Sequence, residues 1–549
     1  MTSSISTVSR TVSIAVFCLA FGFGFSSKTS ARVTEIQALQ AGPNSTTSNG
    51  VEGSYRLINL NPNLGIWYLL VRDYLGESQY SHLEVPRGVE VKLQLDRQSL
   101  VVDGTKGQSR CNLEGENNPI FAKSTQTFTA SCSSDLIVRH STSGSISSGE
   151  IFTHFAERWN WSDRLYYHLK TRYLNRPDEF NLAGQSPAAN PDKPDFTTAI
   201  LSPSSARMKP ETSTIPLPLD QIGIRLARSN PLMNGGWLEV QNPAGKTIPG
   251  VTLSMVTPQA VNAPLKIPEG EKSNLVYLLG FDLSQLRFNY HIGGSQPDFG
   301  WSRSEKNPQT SPGPDGFKSI SPLTRNGIVP FWQVRNLVAV LSGGMDRHGN
   351  SASAAAFDEV SPTSGGSRLY GGMIQSGVTL SRLNPGFATF YGFADGRVGI
   401  KAWQDSDRAT IAPNLQFARQ NGFMIVENGG VAPMVYKRSG NWNGNDLWPQ
   451  TQVRSGICIQ KTNGRDYLIY GLFSGATPIT MARVFIAYGC DQAMQLEIGS
   501  YATSFAEVFA WDTDGGTAQS LSSRTEKYSR KKRFIAESDH RDFFTVSLK

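Results

Sequence analysis

The sequence predicts an α+β protein: a strand-rich, mixed-sheet domain of catalytic type with a few helices, preceded by a small β-rich N-terminal module and a helical segment. Three observations support this class. Short apolar runs, several of which alternate strictly with polar residues, recur along most of the 549 residues. One stretch, residues 151–174, instead repeats its aromatic residues every three or four positions. Gly and Pro number 52 and 30, which supplies many turns but is too few for a low-complexity chain.

The first residues have the pattern of an export signal. Arg10 provides a positive charge, residues 12–25 form an apolar run, and small and polar residues follow up to Ala31. We expect cleavage near Ala31, with an uncleaved anchor as the alternative. No later run reaches the ~18 apolar residues that a membrane helix needs, so no stable span is expected after cleavage. The predicted location is therefore secreted or periplasmic.

The cysteine count agrees with export. Five cysteines minus Cys18 of the signal leave Cys111, Cys132, Cys458 and Cys490. Each pair of sequence neighbours is expected to form a disulfide, Cys111–Cys132 and Cys458–Cys490, although two other connectivities are formally open. The alternative is four reduced and buried thiols, which is less typical of an exported chain.

The pattern along the chain divides it into two parts. Residues 89–95 alternate strictly and predict a half-buried strand of a small β module, whereas residues 151–174 fit an amphipathic helix or a broken pair of helices. A stretch rich in Pro, Ser and Asn then predicts a linker. The expected ranges are 1–31 for the signal peptide, 32–54 for a flexible spacer, 55–175 for the β-rich module plus helix, 176–220 for the Pro/Ser-rich linker, 221–515 for the second domain and 516–549 for a basic C-terminal tail.

The net charge excludes one class of partner. The formal charge is only +7, and no stripe of Lys and Arg interleaved with aromatic residues is present, so nucleic acid is not an expected partner. The one basic cluster, residues 530–533, predicts a solvated tail or a weak contact with an anionic polymer or lipid. The sequence does not predict an oligomeric state.

Several common catalytic motifs are missing. The sequence contains no HExxH, no Walker loop and no GxSxG elbow, which removes most support for zinc proteases, nucleotide-driven enzymes and ordinary serine hydrolases. We predict no cofactor and no metal site.

The second domain carries an ordered set of short motifs. In chain order they are LVAVLSGGM at 337–345, GGMIQSG at 371–377, ARQN at 418–421, VENGG at 426–430, RSG at 454–456 and the run from the helix at 480–487 to LEIGS at 496–500. Over residues 270–510 this order resembles the phosphodiester glycosidase family, in particular a divergent bacterial-type member. Members of this family remove a sugar from a sugar-phosphate diester.

The resemblance implies roles for individual residues. Glu497 would be the catalytic carboxylate that stabilises an oxocarbenium-like transition state or activates water, and Arg454 would be the catalytic clamp on the phosphate. Gly343 and Gly344 would bring backbone N–H groups close to the substrate. The other candidate substrate-binding residues are Arg419, Asn428 and Asp346.

Each role has a structural alternative. Arg454 could pair with Glu497 in a salt bridge, the glycine pair could be only a tight turn, and Asp346 could lie in an exposed loop. Ser342 and Glu497-Ile498 also depart from the Asn and Asp-Gly of the family pattern. Two functions therefore remain: an exported hydrolase that acts on a sugar-phosphodiester bond in envelope or extracellular polysaccharide, or a catalytically decayed protein that binds glycan or assembles polysaccharide. The expected partner in both cases is a glycan or a sugar phosphodiester.

Overall fold

The fold is strand-rich, with several antiparallel sheets and few helices. The computed structural model describes residues 45–51, 53–59, 65–74, 77–86, 90–115, 118, 120, 130–140, 208–209, 212, 216–226, 232–242, 245–293, 327–345, 371–381, 383–436, 444–445, 448–449, 451–462, 464–512, 515–526, 533–535, 539 and 541–549. The predicted signal peptide, the predicted helix at 151–174 and the candidate Asp346 lie outside these residues.

The N-terminal strands form two antiparallel sheets. They are β1 (Ser45–Asn49), β2 (Ser54–Asn59), β3 (Trp67–Tyr74), β4 (Glu77–Glu84), β5 (Lys92–Asp96), β6 (Ser99–Gly104), β7 (Gly107–Asn112) and β8 (Ile137–His140). The spatial orders are β1-β2-β3-β4-β8 and β5-β6-β7. One apolar cluster joins the two sheets, and it includes Leu70, Leu83, Leu100 and Val102. The strict alternation at residues 89–95 therefore corresponds to β5, whose Leu93 is buried between exposed neighbours.

A buried ion pair links these sheets to the rest of the protein. Arg139 on β8 lies 2.6 Å from Glu84 on β4, and both side chains are almost fully buried. Arg139 also donates to the carbonyl of Val329, and Glu84 accepts the N–H of Phe331 at 3.0 Å. A buried charge is tolerated when it is paired and hydrogen-bonded, and here the partners come from both parts of the chain.

Among the described residues, twenty further strands belong to the larger C-terminal part. The first ten are β9 (Trp237–Gln241), β10 (Thr247–Val256), β11 (Val276–Asp282), β12 (Leu286–His291), β13 (Leu337–Ser342), β14 (Met373–Gln375), β15 (Val378–Ser381), β16 (Ala388–Phe393), β17 (Val398–Ala402) and β18 (Leu415–Gln420). The others are β19 (Met424–Glu427), β20 (Gly430–Val431), β21 (Gly444–Asn445), β22 (Trp448–Pro449), β23 (Gln452–Thr462), β24 (Arg465–Ala476), β25 (Cys490–Ile498), β26 (Ala506–Asp512), β27 (Gly515–Ser520) and β28 (Phe543–Leu548).

Three large sheets and one small one result. Their orders are β20-β19-β25-β23-β24-β11-β10-β9, β12-β28-β13-β26-β27, β15-β14-β18-β16-β17 and β21-β22. The main core lies between them and is built from continuous apolar runs such as Leu468–Phe473 of β24. Part of the predicted linker belongs to this core, since Met208 and Leu217 are buried in it.

Four α-helices are described: α1 (Phe331–Val334), α2 (Asp407–Thr410), α3 (Pro478–Ala487) and α4 (Ser523–Glu526). Single 3-10 turns occupy Leu219–Gln221, Pro258–Ala260, Glu269–Glu271, Ala412–Asn414 and Pro433–Tyr436. The expected helix at 480–487 is confirmed as α3, which packs on the largest sheet. Pro478 occupies its first turn, where its fixed φ suits the helix, and the buried Glu271 carboxylate accepts the N–H of Thr477 at 3.0 Å.

The expectation of a mixed sheet was wrong for the described residues. Every strand pairing found among them is antiparallel, including the long β23–β24 and β23–β25 pairs. The physical reason lies in the connections. Seven pairs of neighbouring strands described in the second half are joined by short hairpins, such as the Asp395-Gly396 turn between β16 and β17, and a hairpin can only join antiparallel strands.

The described residues of 516–549 are packed into the fold and do not form the basic tail that was expected there. Strand β28 lies inside a sheet and pairs with β12 on one side and β13 on the other. Arg533, the last residue of the basic cluster, is buried, with its Nε 2.5 Å from Asp539 and its guanidinium over the ring of Phe505. Residues 544–548 alternate apolar and polar side chains and include β-forming types, which favours a strand over a solvated tail.

Both expected disulfides, Cys111–Cys132 and Cys458–Cys490, are confirmed. The first joins β7 to the turn before β8, and the second joins β23 to the start of β25. Disulfides are typical of proteins in oxidising compartments. No helix of the described residues has the length and apolar character needed to cross a bilayer.

We predict that Phe544→Ala destabilises the protein by about 3–5 kcal/mol, because it opens a cavity in a cluster of aromatic rings. The Phe544 ring is fully buried and its centroid lies 5.0 Å from that of Phe390. Urea denaturation measures the loss. Leu548→Ala, on the same strand at a 38% exposed position, is the control and should cost less than about 1 kcal/mol. Equal stability of both variants and the wild type would show that β28 is not an interior strand.

Acidification should weaken the fold through His82. Burial, helped by Arg139, lowers the pKa of His82 from 6.5 to about 4. The folded state therefore holds a neutral ring that the unfolded chain protonates near pH 6.5, so stability is complete above that pH and is lost as the pH falls toward 4. Between pH 7 and pH 4 the wild type should lose about 2–3 kcal/mol more than His82→Gln in urea denaturation. Parallel losses in the two proteins would rule out this account of His82.

Candidate functional site

Charged and polar side chains converge where strands of all three large sheets end. Ser342 ends β13, Glu497 lies next to the end of β25, Arg454 lies near the start of β23, and Arg419 lies near the end of β18. The hydroxyl of Ser342 lies 3.1 Å from that of Ser455, which in turn accepts the N–H of Glu497 at 3.2 Å. Segments more than a hundred residues apart in sequence therefore meet at one place in the fold.

Glu497 forms a buried ion pair with Arg541. The Oε1 atom of Glu497 lies 2.9 Å from Nη1 of Arg541, and the side chains are only 5% and 7% exposed. Arg541 lies two residues before β28, so the C-terminal strand delivers this cation to the acid. A nearby guanidinium stabilises the ionised form of a carboxylate.

Arg419 forms a second buried pair with Asp542. Its Nε donates to Oδ2 of Asp542 at 2.7 Å, and the hydroxyl of Tyr290 donates to the same oxygen at 2.7 Å. Arg419 also donates to the carbonyl of Met345 at 3.1 Å. Burial alone would lower the pKa of Arg419, but Asp542, Tyr290 and Glu497 together raise it above its usual value. Arg419 therefore stays charged, paired with Asp542 and attracted electrostatically by Glu497.

Arg454 is fully buried and is held by protein groups. Its Nε donates to the carbonyl of Ala476 and its Nη1 to Oε1 of Gln495, both at 2.7 Å. On the paired strand it lies opposite Ile498, the neighbour of Glu497. These contacts connect the start of β23 to the end of β24 and to β25, next to Glu497.

Gly343 and Gly344 are required because other residues of the protein lie where their Cβ atoms would be. A Cβ on Gly343 would lie 2.8 Å from the backbone of Asp542, and one on Gly344, at φ +149°, would lie 2.2 Å from the amide of Asn421. The N–H of Gly343 donates to the carbonyl of Asp542 at 3.0 Å. The two glycines thus admit Asn421 and Asp542 to the cluster, and the amide of Gly343 is not directed at a substrate.

The cluster also contains a neutral hydroxyl group, that of Tyr470. The hydroxyl of Tyr470 lies 3.2 Å from that of Ser342 and donates to the carbonyl of Phe505 at 2.9 Å. Burial raises the pKa of Tyr470 above its usual value, although bonds to Ser342 and Ser455 oppose the shift. Tyr470 therefore stays protonated at neutral pH. Ser342, which departs from the asparagine of the family pattern, is part of this hydroxyl chain.

Asn428 lies elsewhere. It occupies the turn between β19 and β20 at φ +51°, and its Oδ1 accepts from Gln492 at 3.2 Å, near the start of β25. Glu497 lies five residues further along that strand, roughly 17 Å away at the rise of an extended chain. The structure brings together Glu497, Arg454, Arg419, Gly343 and Gly344, and it does not bring Asn428 to them.

The charged groups of the cluster are two buried ion pairs, Arg419–Asp542 and Arg541–Glu497, and the guanidinium of Arg454, which donates to the neutral groups of Ala476 and Gln495. Within the described part of the chain, no group of three His, Cys, Asp or Glu residues is arranged to hold a metal ion.

Sequence reasoning missed Arg541, Asp542 and Tyr290. The motifs that carry the family resemblance end at Ser500, and the basic cluster at 530–533 made the following residues look like a tail. The signal that could have identified Arg541 and Asp542 is the run Phe543-Phe544-Thr545-Val546, a strand pattern directly after this Arg-Asp pair.

Comparisons with known proteins give weak structural likenesses. No protein-family profile matches the chain, and no curated protein matches it significantly. The catalytic domain of zebrafish N-acetylglucosamine-1-phosphodiester alpha-N-acetylglucosaminidase, auto-inhibited by its pro-peptide, aligns with a TM-score of 0.30 and 10% identity over 56% of this chain and 90% of that one. A hypothetical protein from Synechocystis aligns with a TM-score of 0.23 and 9% identity over 93% of this chain and 80% of that one.

A third likeness is to a protein from Burkholderia pseudomallei that is designated as exported. It aligns with a TM-score of 0.19 and 11% identity over 50% of this chain and 73% of that one. At these TM-scores and identities, none of the three likenesses establishes a shared fold.

We predict that Arg541→Met lowers the free energy of unfolding at pH 7 by about 3–5 kcal/mol, because it leaves Glu497 as a buried acid without its cation. The double variant Arg541→Met/Glu497→Gln should recover most of this loss, since it removes the orphaned charge as well. Denaturant unfolding of the three proteins measures both effects. A single variant as stable as the wild type would show that Arg541 does not contact Glu497.

Proposed function

We propose that the protein is an exported hydrolase that cleaves the bond between a sugar and a phosphodiester in envelope or extracellular polysaccharide. The observation that carries this proposal is the buried Glu497–Arg541 pair, which places an ionised carboxylate beside a cation at 2.9 Å where strands of the large sheets end. The order of the sequence motifs around this point supports it, because that order resembles the phosphodiester glycosidase family.

Each group has a part in the reaction. Glu497, as the ionised carboxylate, accepts a proton from water while the water oxygen bonds to the sugar C1, or stabilises the positive charge that develops there. The bond between C1 and the phosphate oxygen breaks, and the phosphate monoester leaves as an anion. Phosphate is a good leaving group, so an additional acid is not essential. Arg541 and Arg419 offset the negative charge of the diester.

The guanidinium groups of the cluster suit this substrate class. A phosphodiester carries one negative charge, which a guanidinium can compensate through charge-assisted hydrogen bonds. Arg454 acts here through position, since two of its nitrogens bond to Ala476 and Gln495. These bonds hold β23 against β25 and so fix the position of Glu497 on β25. The departure from Asp to Glu moves the carboxylate by one methylene, and Arg541 holds it in its new place.

A second function, glycan or sugar-phosphate binding without turnover, is favoured by one specific observation. The side chains of Glu497 and Arg541 are almost fully buried, and the other cations of the cluster have protein partners. A protein with such a centre can have the fold of an enzyme, while its buried carboxylate does not reach the bound substrate. The two functions differ in whether any sugar is released.

Turnover of a nucleotide-sugar diphosphate and of an aryl sugar-phosphodiester decides between the functions. Wild-type protein should release free sugar, and Glu497→Gln should reduce kcat by at least about 100-fold, because it removes the base but keeps the size of the side chain. Chromatography of the released sugar is the measurement.

The matched control is Glu269→Gln, the same change at an exposed carboxylate of the 3-10 turn Glu269–Glu271. It should leave kcat within about twofold of the wild type. Sugar release that survives in Glu497→Gln would contradict the role of Glu497. No release by the wild type across the substrate panel, together with retained binding of sugar phosphate in calorimetry, would favour the binding function.

A further inference from the structure

We propose that Asp542 is a positioning residue that orients the Arg419 guanidinium toward Glu497. This inference rests on the proposed function only in taking Glu497 as the reacting carboxylate. Asp542 lies outside the range of the motifs that suggested the site, and it is delivered to the cluster by the same C-terminal segment as Arg541.

The contacts of Asp542 fix it from several sides. Its Oδ2 accepts from both Arg419 and Tyr290 at 2.7 Å, and its side chain is only 2% exposed. Its carbonyl accepts the N–H of Gly343 at 3.0 Å. Because Gly343 has no side chain, the backbone of Asp542 can approach this closely. The carboxylate therefore has little freedom to move, and neither does the guanidinium that it holds.

The charges alternate through the cluster. Asp542 pairs with Arg419, Arg419 interacts electrostatically with Glu497, and Glu497 pairs with Arg541. Glu497 is bonded to Arg541 from the segment before β28, and it acts electrostatically on Arg419 of β18 and Tyr470 of β24. Tyr470 is neutral, so the two arginines set the charge around the acid. The negative charge of Asp542 partly offsets the positive charge of Arg419 and so limits how strongly Arg419 stabilises the ionised form of Glu497.

The first test is a double-mutant cycle in stability, which does not depend on any hydrolysis. Unfolding of the full chain in urea is measured for wild type, Asp542→Asn, Glu497→Gln and the double variant. Since either acid alone can compensate Arg419, the double variant should be less stable than the sum of the single effects, by about fivefold or more in the unfolding equilibrium constant. A cycle with Asp395→Asn in place of Asp542→Asn is the control. Asp395 forms an exposed pair with Arg397 in the β16–β17 turn, and that cycle should be additive.

The second test is the pH dependence of kcat/KM for the sugar-phosphodiester substrate. In Asp542→Asn, Arg419 acts on Glu497 without an opposing charge, so the acidic limb of the profile should move to lower pH by roughly 0.5–1 unit. Asp542→Glu keeps the charge and should restore the limb to the wild-type position. A loss of packing alone would lower the rate in both variants without moving the limb.

Tyr290→Phe covers the case in which Asp542→Asn does not fold. It removes one hydrogen bond to Asp542 and keeps every charge, so it should give the same sign of coupling with Glu497→Gln at about twofold.

The possible results separate the two claims. A coupled cycle with no hydrolysis by the wild type supports the role of Asp542 and rejects the proposed function. Hydrolysis with an additive cycle and an unmoved acidic limb supports the proposed function and rejects the role of Asp542.

Discussion

The ion pair between Glu497 and Arg541 is the interaction on which the rest of the site depends. Its two side chains lie almost fully buried at 2.9 Å, where either charge alone would be costly. The pair exists only because β25 and the segment before β28 end at the same place. Arg419 and Asp542 repeat the arrangement alongside, at 2.7 Å. Pairing thus allows four charges to remain inside a largely apolar core, and it also fixes their order in space.

Strand β28 supplies the connection between fold and site. It lies between β12 and β13, so these two strands share a sheet only through it. Phe544 packs into the main core, where its ring meets Phe390 and Phe417, and Phe543 packs into a separate apolar cluster. The two residues that precede its start, Arg541 and Asp542, reach the charged cluster. The same short segment therefore stabilises the core and completes the electrostatics of the site, which makes the geometry of Glu497 dependent on the position of the C-terminal strand.

Local pattern predicted much of the fold because the relevant signals are local. The alternation around Leu93, the apolar run of β13 and the helix that begins at Pro478 each specify an element from a few residues, and the cysteine spacing favoured the observed disulfide pairs. The partners of the charged residues could not be predicted in this way. Arg454 seemed a phosphate clamp, but its bonds to Ala476 and Gln495 depend on the register of three strands. The space beside Gly343 is occupied by Asp542, almost two hundred residues later in the sequence.

The most direct test is a crystal structure of the protein, in which the contacts of Glu497 are measured. The account predicts that its carboxylate lies within hydrogen-bonding distance of the Arg541 guanidinium, with Asp542 bonded to Arg419 and the Gly343 N–H bonded to the Asp542 carbonyl. An electron-density map in which residues 541–548 leave the sheet and Arg541 points into solvent would contradict it, because Glu497 would then have no cation delivered by the C-terminal strand.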